Sequence, residues 1–274
     1  MVAKVRVNPV EAGALMPVRN RVRIARPWEQ GGLRFGKVRE ISATFSTERA
    51  AVAALCPPGF RPADDPLVTF RMQQCADVDW LAGRGYNLLA VDVAASFDGE
   101  RDHDVAGSLC IVIWENMTEP ILTGREFSGV AKIYGEIPDP REEGGVWRVG
   151  VSRFGRPIIE LSVSNLSRRP KTAQRELEAA RREGNYMQYK YFPGIEDETP
   201  DVAYAAVYPS SGACVEFQSG EGAAVVHDAT FEQNPTQFEL VNRLAALPML
   251  EARAAAMTRW EPAMLLDRRP RRLL

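Results

Sequence analysis

The sequence predicts an α+β protein dominated by antiparallel β-strands. Three observations carry that reading. Short apolar runs recur along the chain, separated by turn signals such as Asp98-Gly99, Gly144-Gly145 and Ser211-Gly212. Few stretches have helical composition or spacing, and those are short. With 274 residues and 45% hydrophobic content, the chain is long enough to bury a sizeable core.

Taken in order, residues up to Trp28 carry Pro9, Pro17 and Pro27, which exclude long regular elements and suggest an extended arm or a packed irregular segment. Ser46-Thr47-Glu48-Arg49 before Ala50–Leu55 reads as a capped short helix stopped by Cys56-Pro57-Pro58-Gly59. Strands are expected at Leu67–Gln73, Asn87–Phe97, Ser108–Trp114, Val146–Arg153, Pro157–Ser164, Asp201–Val207, Ala213–Gln218 and Ala223–Phe231. Lys171–Glu183 reads as a surface helix stopped by Gly184, and Thr236–Ala246 as a helix with an apolar face ahead of Pro248. No internal repeat or linker divides the chain. The expected organisation is an arm over residues 1–34 and a single domain over residues 35–274.

The formal net charge of -2 gives no global positive field for nucleic acid or an anionic membrane. No run of about 18 apolar residues and no signal-peptide core is present, so a soluble, cytoplasmic protein is expected. Cys56, Cys75, Cys110 and Cys214 lack Cys-x-x-Cys spacing and read as reduced thiols. Asp102-His103-Asp104 reads as a solvated loop before it reads as a metal site, and Arg268-Arg269-Pro270-Arg271-Arg272 as a disordered tail or subunit contact. Nucleotide-binding glycine loops and Gly-x-Ser-x-Gly are absent.

One stretch calls for chemistry. Gly124-Arg125-Glu126-Phe127-Ser128-Gly129-Val130-Ala131-Lys132-Ile133-Tyr134 sets a lysine among apolar residues, in a chain with only five lysines among 34 basic residues. A desolvated amine can lose its proton and attack a carbonyl to form a Schiff base, a route closed to guanidinium. An amine bathed in solvent or tied to a carboxylate would remove the basis for that expectation.

At these residues the sequence resembles the acetoacetate decarboxylase superfamily, whose pattern is a Gly-Arg-Glu turn followed by Phe-Pro-Lys-Lys with the first lysine as nucleophile. Lys132 falls on that nucleophile, while Ala131 replaces the proline and Ile133 the second lysine. Leu67-Val68-Thr69-Phe70, Tyr86 through Gly99, Asn185-Tyr186-Met187 with Lys190 and Pro193, and Leu247-Pro248 follow in the family's order. The resemblance implies a β-barrel or double-layered sheet with a few outer helices, assembled as a homo-oligomer. It also implies a Schiff-base lyase acting on a small-molecule oxo acid without a metal or organic cofactor, some members also using an aldehyde co-substrate.

The family uses two glutamates and an arginine around the nucleophile, and this chain departs at both glutamates. Arg71 follows Phe70 where the pattern has Glu, and Leu88 stands where Tyr-x-Glu would place the other. Arg39, followed by Glu40, is the best match to the arginine, one residue out of register. The expected substrate-binding set is therefore Arg39, Arg71, Tyr86, Leu88, Phe127 and Met187. Glu115, Glu126 and Tyr134 are the candidate proton donors beside Tyr86. The lost glutamates point away from acetoacetate itself and towards an aldolase-dehydratase or another carbon-carbon lyase. A genuine decarboxylase and a non-catalytic binding protein are the competing readings.

Overall fold

A computed structural model of the chain describes residues 31–197 and 199–274. The expected arm over residues 1–34 therefore lies, apart from its last four residues, outside the described part. The strands are β1 (Leu33–Ser46), β2 (Phe60–Pro62), β3 (Leu67–Val78), β4 (Tyr86–Phe97), β5 (Val105–Glu115), β6 (Lys132–Tyr134) and β7 (Arg141–Glu143). They continue as β8 (Val146–Arg153), β9 (Arg156–Arg168), β10 (Tyr186–Phe192), β11 (Val202–Tyr208), β12 (Ser210–Val226), β13 (Ala252–Leu265) and β14 (Arg271–Arg272). The helices are α1 (Arg49–Ala53), α2 (Thr118–Thr123), α3 (Lys171–Glu183) and α4 (Phe238–Ala245).

This is the expected β-dominated α+β fold. All fourteen strands join one sheet, in the order β14-β11-β10-β5-β4-β3-β1-β13-β12-β9-β8-β7, with β2 on β4 and β6 on β5. Pairing is antiparallel except where β5 runs parallel to β6 and β10. Those two exceptions build the site.

The two-residue period of a strand sends alternate side chains to opposite faces. On β3, Val68, Phe70 and Met72 enter the main core, while Thr69, Arg71, Gln73 and Cys75 line a pocket on the other face. On β4, Leu89, Val91 and Val93 enter the core, while Tyr86, Leu88 and Asp92 face the pocket. Ile159 and Leu161 of β9 and Val241 and Leu244 of α4 belong to the same core, so the far end of the sheet coils back over its apolar face. At one crossing a Cβ on Gly222 would stand 2.7 Å from the Ala43 Cβ and 2.8 Å from the Ala255 Cβ, so only glycine lets the strands approach this closely.

Two local expectations are corrected. The helix after Ser46 has no side-chain cap, because the Ser46 hydroxyl instead accepts from the Glu251 amide at 3.2 Å and the Thr47 amide donates to the Pro66 carbonyl. The basic tail is docked: Arg271 pairs with Asp102, the Leu274 amide donates to Asp102, and the Arg272 guanidinium lies 4.4 Å from the Tyr204 ring centroid. Among the described residues no helix is long and apolar enough to cross a membrane.

Candidate active site

The site begins with register. In the parallel pair, Lys132 stands opposite Ile113, and Glu115 is two residues beyond Ile113 on the same face of β5. Lys132 therefore lands beside Glu115. Its Nζ donates to Glu115 Oε1 at 2.6 Å and to the Pro120 carbonyl at 3.2 Å. The lysine side chain is 13% exposed and the glutamate 0%.

The approach to β6 is held from three sides. After α2, a π-helical turn over Gly124–Ser128 ends at Gly129, whose φ of 70° is left-handed. Arg125 donates to the Lys132 carbonyl, and Lys190 of β10 donates to the Glu126 and Phe127 carbonyls at 3.0 Å each. Gln237, just before α4, accepts from Trp114 Nε1 at 2.9 Å and donates to the Tyr134 carbonyl. A Cβ on Gly124 would sit 2.5 Å from the Lys132 Cδ and Cε, so the lysine stem occupies the space a side chain would need.

The expected amine in a purely apolar setting is thus corrected: Lys132 is tied to a carboxyl group. Burial pushes the Glu115 carboxyl up, with the Lys132 ammonium opposing, because removal from water favours the neutral acid. Glu115 Oε2 has no hydrogen-bond partner among the described residues. The pair therefore has an unfilled acceptor beside a lysine that lines the pocket.

That pocket has a volume of about 390 Å³. Its walls come from β1, β3, β4, β10, β13, the Gly124–Val130 segment and α3, which contributes Leu177, Ala180 and Arg181. A hydrogen bond of 2.6 Å from the Cys214 amide to Glu178 fixes α3 to β12. On the pocket face, Arg71 Nε and Nη2 donate to Asp92 Oδ2 at 3.2 and 2.9 Å, and Tyr186 donates to Asp92 Oδ1 at 3.0 Å. Glu40 accepts from Gln73 and lies 3.8 Å from Arg71 and 3.9 Å from Arg181. Burial lowers the Arg181 guanidinium, with Glu40 opposing, and its Nε has no hydrogen-bond partner among the described residues. An unmet buried donor of this kind costs about 1–3 kcal/mol.

Of the expected residues, Arg71, Tyr86, Leu88, Phe127 and Lys132 meet at the pocket. Burial pushes the Tyr86 phenol well up, so it stays protonated. Arg39 is not among them. It donates to Gln74 and stacks 4.9 Å over Trp147 while its neighbour Glu40 lines the pocket, because a shift of one residue on a strand reverses the face. Met187 is fully buried in the core, flanked by the pocket residues Tyr186 and Gln188. Tyr134 is 40% exposed under the Arg153 guanidinium, and Glu126 contributes its carbonyl to Lys190. Asp92, Tyr186 and Arg181 were not foreseen; the last lay in a helix read as a surface element, with only its i, i+4 relation to Leu177 as a signal.

A family model described as acetoacetate decarboxylase (ADC) matches residues 16–259. No curated protein matches the chain. Among solved structures, an acetoacetate decarboxylase from Legionella pneumophila is 17% identical, with a TM-score of 0.72 over 100% of this chain and 98% of that one. An acetoacetate decarboxylase-like enzyme from Sphingomonas wittichii RW1 is 18% identical, with a TM-score of 0.64 over 89% and 93%. The enduracididine biosynthesis enzyme MppR, complexed with the condensation product of pyruvate and imidazole 4-carboxaldehyde, is 16% identical, with a TM-score of 0.61 over 86% and 90%.

Proposed function

The chain belongs to the acetoacetate decarboxylase family, and from that premise we propose a lyase in which the Lys132 amine condenses with the carbonyl of an oxo acid. The observation that carries this reading is the lysine Nζ placed at the pocket 2.6 Å from a wholly buried carboxyl group. Glu115, bonded to Nζ at 2.6 Å, is the acceptor available to the ammonium proton when the amine attacks. The tie to Glu115 removes the basis given for activation by burial alone, so the reading rests instead on membership of the family and on Glu115 as the proton acceptor.

The amine nitrogen bonds to the carbonyl carbon, and the displaced electron pair moves to oxygen, which takes the proton from Glu115. The nitrogen then loses its remaining surplus proton to the Glu115 carboxylate, and the hydroxyl, protonated in turn, leaves as water to give the iminium. The iminium draws in an electron pair from a bond at its α-carbon. Either the bond to a carboxylate breaks, carbon dioxide leaves and the enamine carbon takes up a proton, or the bond to hydrogen breaks, the proton passes to the Glu115 carboxylate and the enamine attacks an aldehyde. Water then adds to the iminium carbon and the amine leaves, which returns Lys132.

Leu88 puts an alkyl group where the family pattern has a glutamate, and Arg71 faces Asp92. Both favour an aldolase-dehydratase or related lyase over acetoacetate decarboxylation. Borohydride reduction in the presence of a panel of oxo acids tests the proposal: a substrate-derived mass on Lys132 is expected. Carbon dioxide from acetoacetate selects decarboxylation, and condensation of pyruvate with an aldehyde selects the aldol route. The close contact between Lys132 and Glu115 favours one other reading, a non-catalytic binding protein with a structural ion pair. Ligand binding that survives Lys132→Ala, with no adduct on the parent protein, selects that reading.

A further inference from the structure

Resting on the Schiff-base reading for the position of the carbonyl, we propose that the substrate is an elongated oxo compound with an apolar body and a carboxylate remote from the reacting carbonyl, bound by Arg181. The sheet register sets the length. Glu115 pairs with Leu88, Leu88 with Gln73, and Gln73 with Glu40, so these four residues form one row across β5, β4, β3 and β1. Neighbouring strands stand about 4.8 Å apart, which puts roughly 14 Å of sheet between the Glu115 and Glu40 backbones. Lys132 sits at the first end and Arg181 by the other.

The chemistry of the two ends differs as a bifunctional ligand requires. Arg181 is held by stacking 4.5 Å over Trp260, and its nearest carboxylate oxygen, on Glu40, is at 3.9 Å, beyond hydrogen-bond reach. Its Nε is buried without an acceptor, whereas Arg71 beside it has two bonds to Asp92. Arg181 is therefore the pocket guanidinium with donor capacity to spare for an incoming carboxylate. Trp80 Nε1, also at the pocket, is a second buried donor with no acceptor among the described residues. The lining also includes the alkyl and aromatic side chains of Phe35, Val38, Leu88 and Trp260, beside Gln73, which is bonded to Glu40, and Arg71 and Asp92, which are bonded to each other. A volume of about 390 Å³ is in the range that encloses a ligand well beyond four carbons, since pockets for drug-sized molecules run about 300–1,000 Å³.

Borohydride trapping at Lys132 and ligand titration by intrinsic tryptophan fluorescence are run with 7-oxooctanoate, levulinate, pyruvate and 2-octanone. The expected order places 7-oxooctanoate first, at least tenfold ahead of pyruvate. Arg181→Met is expected to weaken 7-oxooctanoate about tenfold or more and to leave 2-octanone unchanged. Should the methionine variant not fold, Arg181→Lys, which keeps a cation but loses the planar donor edge, gives the same comparison with a smaller loss. Pyruvate matching 7-oxooctanoate, or equal losses for acid and ketone in the variant, overturns the proposal while adducts on Lys132 leave the Schiff base standing. Selective loss of acid binding with no adduct from any ketone keeps the Arg181 assignment and removes the Schiff base instead.

Discussion

Two of the ion pairs at the pocket, Arg71 with Asp92 and Lys132 with Glu115, differ in character. Asp92 has both oxygens filled, one by Arg71 and the other by Tyr186, and Arg71 also contacts the Tyr186 hydroxyl at 3.1 Å. Glu115 has one oxygen on Lys132 and the other without a partner. A filled pair holds its protons and geometry in place, and a half-filled one leaves an acceptor open for proton movement. The difference separates scaffold from candidate chemistry within one cavity.

The strongest way to break the comparison is Lys132→Met. Turnover and borohydride adducts are expected to fall to background, as read by mass spectrometry. The same variant gives a pH signature. Without the ammonium, the Glu115 carboxyl is raised further, so the native state keeps a proton that the unfolded chain has lost. Stability should then fall as pH rises from the ordinary carboxyl value of 4.5 through the raised one, more steeply than in the parent. Thermal unfolding across mildly acidic to neutral buffers checks this, and equal slopes for parent and variant would count against it.

Arg71→Met attacks the other pair. It strands Asp92, whose side chain is 3% exposed, and is expected to cost about 3–5 kcal/mol in denaturant unfolding. Adding Asp92→Leu should recover part of that loss, because it removes the stranded charge while the Tyr186 hydroxyl loses its bonds to both residues. A smaller effect is expected from Gly124→Ala. The new methyl group displaces the flexible lysine stem and not the backbone, so the fold persists while the rate drops by roughly a hundredfold. Lys190→Met is the mildest change. Losing two bonds to the Glu126 and Phe127 carbonyls at a half-buried amine costs about 1–2 kcal/mol, with faster proteolysis at that turn as the local readout.

Much of the fold was legible because its core faces follow simple patterns. Val146–Arg153 and Lys171–Glu183 were read with their observed bounds, and Asn87–Phe97 to within one residue. No strand was expected at β1, β10 or β13. In β1 the pocket face carries Glu40, which interrupts the apolar signal, and β13 is rich in alanine, which lacks the branched side chains that mark strands. At the site, Lys132 stood out by residue type and Glu115 was named as a proton donor. Their contact depends on a parallel pairing between strands joined through α2, and no local pattern encodes that register. Arg39 shows the cost of a single step: counting along the chain cannot tell which of two adjacent residues looks into a cavity.

The pairing of β1 with β13 has a consequence for biogenesis. Val38 meets Trp260 across the ladder and both line the cavity, so one wall joins segments separated by more than two hundred residues of synthesis. Nascent chains released early by the ribosome would carry the lysine and yet lack a chamber, and ligand cannot assist the first stages of collapse. Long-range closure of this kind folds slowly and leaves strand margins uncovered meanwhile. Cellular yield should therefore respond to chaperone supply and growth temperature more than to added substrate.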